Sequence, residues 1–202
     1  MSHALPDRER RMLCLLGMTT LAAAQTGCGT SAPVQLYHLA SAPPGPAPAA
    51  PTSDQTWQLM LPVRMPEYLD REAILLPQGQ AGLLALSGHR WAESLRDAVP
   101  RVLRQDLAAL LGGDRMWSTP VPPGVAVTRQ LRVEIVSLQA DAARRSVSVQ
   151  ARWTLTDPQG RLPPRTEAAT LQAASRDESI DSLVAAHRLV LWQLSGRIAA
   201  TR

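Results

Sequence analysis

Ser146-Val147-Ser148-Val149-Gln150-Ala151-Arg152-Trp153-Thr154-Leu155-Thr156 alternates polar and apolar side chains without a break. A period of two marks a strand with one face buried. Asp157-Pro158-Gln159-Gly160 follows as a strong turn signal, and Thr166 to Ala174 supplies a returning strand. Upstream, Val127 to Leu138 reads as a partner strand, joined near Asp141 to Arg145. The period then changes. From Ile180 to Ala200 the stripe Ile180, Leu183, Val184, His187, Leu191, Leu194 and Ile198 recurs every three or four residues and predicts an amphipathic helix. A similar stripe, Trp91, Leu95, Val99, Val102, Leu103, Leu107 and Leu110, predicts a helix from His89 to Leu111. Pro100 should kink or interrupt it, and Gly112-Gly113 should end it. Strand pairs bracketed by two such helices specify an α/β fold: a single domain, with a mixed β-sheet and two main amphipathic helices packed on it.

Working outward, Trp57 to Val63 predicts a strand, Pro66 to Arg71 a turn, and the segments around Ile74 to Leu76 and Leu83 to Leu86 two short strands. Val34 to Leu39 alternates like a first strand. Ala40 to Pro51 is rich in Pro and Ala and can form neither helix nor ladder. If the first strand joins the domain, this stretch is a long loop; otherwise it lengthens a tether. The expected organisation is residues 1–27 as a signal segment, 28–56 as anchor, first strand and linker, and 57–202 as the folded domain.

The N-terminus carries its own signal. Basic Arg8, Arg10 and Arg11 precede an apolar run of about 13 residues from Met12, the length of a signal-peptide core and short of a membrane span. The run leads to Gln25-Thr26-Gly27-Cys28, where small residues before a Cys suit lipoprotein processing. Gln25 stands where an aliphatic residue is usual. Ala22-Ala23-Ala24 also reads as a small-x-small secretion site, which would release a chain starting at Gln25. Cysteine usage favours lipidation. Cys14 leaves with the signal, and the mature chain keeps Cys28 alone, too few for an internal disulfide. Acyl chains on Cys28, each CH₂ contributing about 0.8 kcal/mol, would anchor the protein once two or three are present. Gly29 is not the Asp that retains lipoproteins in the inner membrane, so the expected destination is the periplasmic face of the outer membrane.

The 202 residues suffice for one domain with a real core. Phe is absent and aromatics make up 3%, so Leu, Val and Ala must fill that core, with five Trp adding bulk. All 21 basic side chains are Arg, yet the net charge is only +4 and the arginines are interspersed with acids. No basic run or aromatic-interleaved stripe points to nucleic acid.

Chemistry-bearing constellations are missing as well. Neither HExxH nor paired Cys ligands occur, nor a Gly-x-Ser-x-Gly elbow, nor a phosphate-binding Gly loop, so no catalytic residue, metal or cofactor is expected. His89 and Glu93, four apart, read as a contact at a helix start; His187, on an apolar stripe, reads as a core histidine. Asp70 and Arg71 read as a solvated turn pair. Binding is left, and the turn from Pro66 to Arg71 is its best candidate. Tyr68 and Leu69 put apolar area where a turn is normally polar, with Arg71 beside them. Alternatively, Tyr68 and Leu69 fold back and staple the turn to the sheet.

Pro66-Glu67-Tyr68-Leu69-Asp70-Arg71 and His89-Arg90-Trp91-Ala92-Glu93-Ser94-Leu95, with Arg101-Val102-Leu103 and Ala151-Arg152-Trp153-Thr154-Leu155, resemble the ABC-type transport auxiliary lipoproteins of the PqiC type. The likeness implies a mixed α/β domain without enzymatic activity. It further implies an outer-membrane-anchored auxiliary subunit that docks an MCE-domain protein and its associated membrane transporter components in intermembrane lipid transport. Ring-like self-association is compatible with it. The rival is a carrier holding lipid in its own apolar cavity, which needs a pocket of several hundred Å³.

Overall fold

The computed structural model describes residues 33–46 and 55–201, so Cys28 and the signal segment lie outside the described residues. From Val34 onward the chain forms one compact unit. Its strands are β1 (Gln35–Tyr37), β2 (Trp57–Leu59), β3 (Ala73–Gln78), β4 (Gly82–Trp91), β5 (Met116–Ser118), β6 (Arg129–Ala140), β7 (Ser146–Thr156) and β8 (Arg165–Ala174). Helix α1 (Leu95–Leu111) follows β4, and α2 (Ile180–Ala199) follows β8. The α/β architecture with two main helices is as expected. Its strands form two sheets, one ordered β1-β4-β3 and one ordered β5-β2-β6-β7-β8. Both are mixed: β1 runs parallel to β4, and β2 parallel to β5 and β6, while the hairpins are antiparallel.

The alternation in β7 is realised in full, with Val147, Val149, Ala151, Trp153 and Leu155 buried. Its partner β6 is less regular. Leu131, Val133 and Ile135 face inward, then a bulge intervenes between Ile135 and Ser137, and Leu138 and Ala140 take over the buried face. The extra residue switches the buried parity from odd to even, so both halves of the strand meet one core. The turn after β7 closes as expected. Asp157 accepts from the Gln159 and Arg161 amides, and Gly160 takes φ +69°. The Gln159 amide foremost, then the Arg161 guanidinium and amide, hold the Asp157 carboxyl below the usual range.

Helix α1 starts later than its stripe suggested. Residues 82–91 are strand, because β3 supplies a ladder partner as far as Arg90; the helix begins only after Ser94, whose hydroxyl accepts from the Arg96 amide. His89 and Glu93 therefore never share a helix face. His89 meets the Tyr37 hydroxyl at 2.9 Å, and Glu93 pairs with Arg101. The helix passes Pro100 without interruption and ends at Gly112, whose φ of +106° suits glycine. The strand expected over residues 57–63 stops at Leu59, with Arg64 returning as a lone bridge to Glu134.

Helix α2 is buried on more than one side, because it packs on β7 and β8 and also against α1. At that seam Arg188 forks onto Asp106 at 2.6 and 2.8 Å, and Ser195 adds a weaker bond. Arg188 also donates to the Ala40 and Ala42 carbonyls, while Arg101 donates to the Leu39 carbonyl and the Ser41 hydroxyl. Leu39 is fully buried between these contacts. The first strand thus joins the domain, and residues 40–46 continue from it without helix or strand.

Candidate functional site

Pro66 to Arg71 wraps through a short 3₁₀ turn over Glu67–Leu69. Its three candidate residues line one cleft together, in three different states. Leu69 is buried in the core, Tyr68 is half-buried and Arg71 is exposed. The Tyr68 hydroxyl accepts long bonds, 3.4 Å, from the Leu138 amide and the Gln139 side chain, which tie the turn to the end of β6. Leu69 therefore staples the turn, Tyr68 adds to the staple through its core packing and hydroxyl while part of its surface stays open at the rim, and Arg71 stands at the rim alone. Asp70 does not pair with Arg71. It accepts from the Ser94 hydroxyl at 2.8 Å and meets Arg96 at 3.0 Å, so the turn is also tied to the start of α1.

Across the cleft stand Leu75, Pro77 and Leu83 of the β3–β4 hairpin; Trp91, Leu95 and His187 lie at its base. The free space is about 20 Å³, room for a water or two. The larger hollows lie elsewhere. One of about 390 Å³ runs beside Leu61, Pro62, Pro100 and Arg104, and another of about 290 Å³ sits by Arg129, Leu155 and Leu162; both are open to solvent.

Electrostatics at the base is that of a core. His187 is 5% exposed, shares a 2.8 Å contact between Nδ1 and the Leu183 carbonyl, and meets Trp91 edge-on. Burial holds its imidazole down at about 4, hence neutral. Trp91 is buried, as its place in the apolar stripe suggested, although it ends a strand and does not start a helix. Among the described residues no group of His, Cys, Asp or Glu could hold a metal ion. No described helix is long and apolar enough to cross a membrane. The arrangement is suited to contact: a tight apolar floor, one phenol, one guanidinium and an apolar hairpin as the opposite wall.

Sequence reasoning missed that wall. Leu83 and Leu84 are 43% and 46% exposed, and the signal for them was present, because Ile74 to Gly88 contains no charged residue. The Asp106–Arg188 pair was also missed; two residues 82 positions apart leave no local trace.

A family model described as the ABC-type transport auxiliary lipoprotein component matches residues 37–199. No curated protein matches the sequence. Solved structures share the fold, among them the following two. One, an uncharacterized protein, is 17% identical with a TM-score of 0.64, over 83% of this chain and 97% of its own. The other, protein XCC0632 from Xanthomonas campestris, is 14% identical with a TM-score of 0.63, over 82% and 92%.

Proposed function

Because the chain belongs to the ABC-type transport auxiliary lipoprotein component family, we propose that it is a non-catalytic subunit of an intermembrane lipid transport system. In this reading acyl chains on Cys28 hold it on the periplasmic face of the outer membrane. The domain docks an MCE-domain protein and its membrane transporter components, with Tyr68 and Arg71 on the contacting rim and Leu69 bracing them from beneath. The observation that favours docking over lipid carriage is the lack, among the described residues, of an enclosed apolar cavity of the size a carrier needs: the cleft holds about 20 Å³ over a packed floor, and the hollows of about 390 and 290 Å³ are open to solvent and lined in part by arginines.

Two experiments test the two halves. Cys28→Ser should turn a membrane-bound protein into a soluble one or an unprocessed precursor; a mature wild-type chain that begins at Gln25 without acyl mass contradicts the anchor. For docking, wild type and a Tyr68→Ala, Arg71→Glu variant are used to capture proteins from detergent-solubilised membranes. Recovery of an MCE-domain protein by wild type and its loss in an equally stable variant is the expected result. Equal recovery by both moves the contact away from this turn.

A further inference from the structure

The β3–β4 hairpin has a surface that the docking turn leaves unexplained. From Ile74 to Gly88 it carries no charge, and the pairing from Leu75↔Ala85 to Gln78↔Gly82 folds this run back on itself as one arm. Leu83 and Leu84 near its end are exposed, and because neighbours on a strand point to opposite faces, the arm is apolar on both. Charges reappear only at its base, in exposed Arg71, Glu72 and Arg90. β1 covers the second edge of β4 only at residues 89–91, which leaves residues 82–88 without a strand partner on that side among the described residues. Soluble proteins ordinarily guard such edges with Lys, Glu or Pro. This one is unguarded.

The chain outside the structure says what covers it. β1 runs parallel to β4 with Gln35 opposite His89, so traced backwards it heads toward the hairpin tip. Six chain steps lead from Cys28 to Val34, a reach of about 20 Å at full extension. A bulge takes up the extra residues of β4, so the arm is better measured on β3, where Ala73 to Gln78 is five steps, about 17 Å of strand. The reach of an anchor on Cys28 is therefore comparable to the length of the hairpin. Val34 and Leu36, 50% and 65% exposed, continue the apolar surface on the anchor's side.

We propose that the end of the β3–β4 hairpin seats in the headgroup region of the leaflet that holds the acyl chains, as a second, non-covalent contact with the lipid surface. This rests on the lipidation of Cys28. The contact is shallow, because the backbone groups of the tip and of the open β4 edge need water or headgroups as partners and find none in hydrocarbon. With two contacts the domain cannot swivel about its tether, and the cleft walled by Leu75, Pro77 and Leu83 is held beside the membrane.

The test uses the full chain, processed and reconstituted in phosphatidylethanolamine–phosphatidylglycerol vesicles. Cys14 is lost with the signal and Cys28 is alkylated, so a Leu84→Cys substitution provides a single free thiol for an environment-sensitive fluorophore. Gln159→Cys is the control: it lies in the turn beyond the Gln130 end of β6, while the cleft adjoins the Leu138 end. Gln80→Cys, at the exposed tip, replaces Leu84→Cys should that change disturb the strand. Spin-labelled lipid should quench the hairpin label about threefold more than the control, since interfacial apolar elements sit about 5–10 Å into the headgroup and acyl boundary. Equal quenching at both sites, on protein whose intact mass shows the acyl chains, overturns the inference and spares the anchor. Absence of acyl mass overturns the anchor and the inference together. A label shielded equally without lipid, and cross-linking between copies through Leu84→Cys, assigns the arm to self-association and also overturns it.

Discussion

At the seam of α1 and α2, a carboxylate and a guanidinium are almost wholly buried and paired with each other, and the guanidinium donates further to the Ala40 and Ala42 carbonyls. Toward the end of the β3–β4 hairpin, leucines stand in the open on a run that carries no charge of its own. The first region places polar groups where folding alone would put apolar ones; the second does the reverse. At the seam the inversion has an internal account. Burial pushes the Asp106 carboxyl up from its ordinary value, Arg188 and Ser195 pull it back down, and the spare donors of Arg188 hold residues 40–42 against the helices. At the hairpin no partner among the described residues resolves it, and the proposed lipid contact would supply one. A buried misfit that is satisfied concerns architecture; an exposed one that is not concerns contact.

The sharpest way to break this contrast is at the seam. Arg188→Ala leaves Asp106 buried without its partner and frees residues 40–42, and should cost about 3–5 kcal/mol in chemical denaturation. Asp106→Leu with Arg188→Met should recover most of that loss, because a buried pair often gives way to well-packed apolar groups at little cost. A single Arg188→Ala that unfolds at the wild-type midpoint would show the seam to be incidental.

His187 offers an intermediate effect, readable by pH. Its folded value, about 4, lies below the ordinary 6.5. Above about pH 6.5 the imidazole is neutral in both states and its full contribution is present. As pH falls below that, the unfolded chain takes up a proton that the folded one refuses, and stability drops until about pH 4. The loss is bounded by about 3 kcal/mol. In His187→Leu this portion of the pH dependence should disappear, as followed by denaturation midpoints between pH 7 and 4. An unaltered profile would place the titration in other groups.

The smallest effect is expected at the hairpin. Leu83→Gln with Leu84→Gln should change stability by about 1 kcal/mol or less, since surface substitutions away from caps and buried networks are nearly neutral. A large loss would mean the arm supports the core after all, and would dissolve the contrast with the seam.

What the sequence disclosed follows from how local each signal is. The strict alternation of β7, the Asp157–Gly160 turn and the α2 stripe are short-range patterns, and all three stand as read. The start of α1 was misplaced because Trp91 and Leu95, four apart, mimic a helical stripe across a strand end and a cap. The division into two sheets was invisible, since it depends on β2 pairing with β5 and β6 across some 60–70 positions. Of the candidate site, Tyr68, Leu69 and Arg71 do converge on one cleft, yet only the fold tells staple from rim. The hairpin lay in plain view as an uncharged run. A strand signal alone does not say which strands stay uncovered.

The bulge between Ile135 and Ser137 bears on how distant relatives of this chain should be compared. With identities of 14–17% to the two solved structures, apolar pattern is most of what an alignment can follow, and in β6 that pattern changes phase midway. A single ungapped frame can match Leu131 to Ile135 or Leu138 to Ala140 against a bulge-free strand, and never both. One unpaired column at Val136 restores the two halves at once. That residue acts as a spacer in the grammar of the strand.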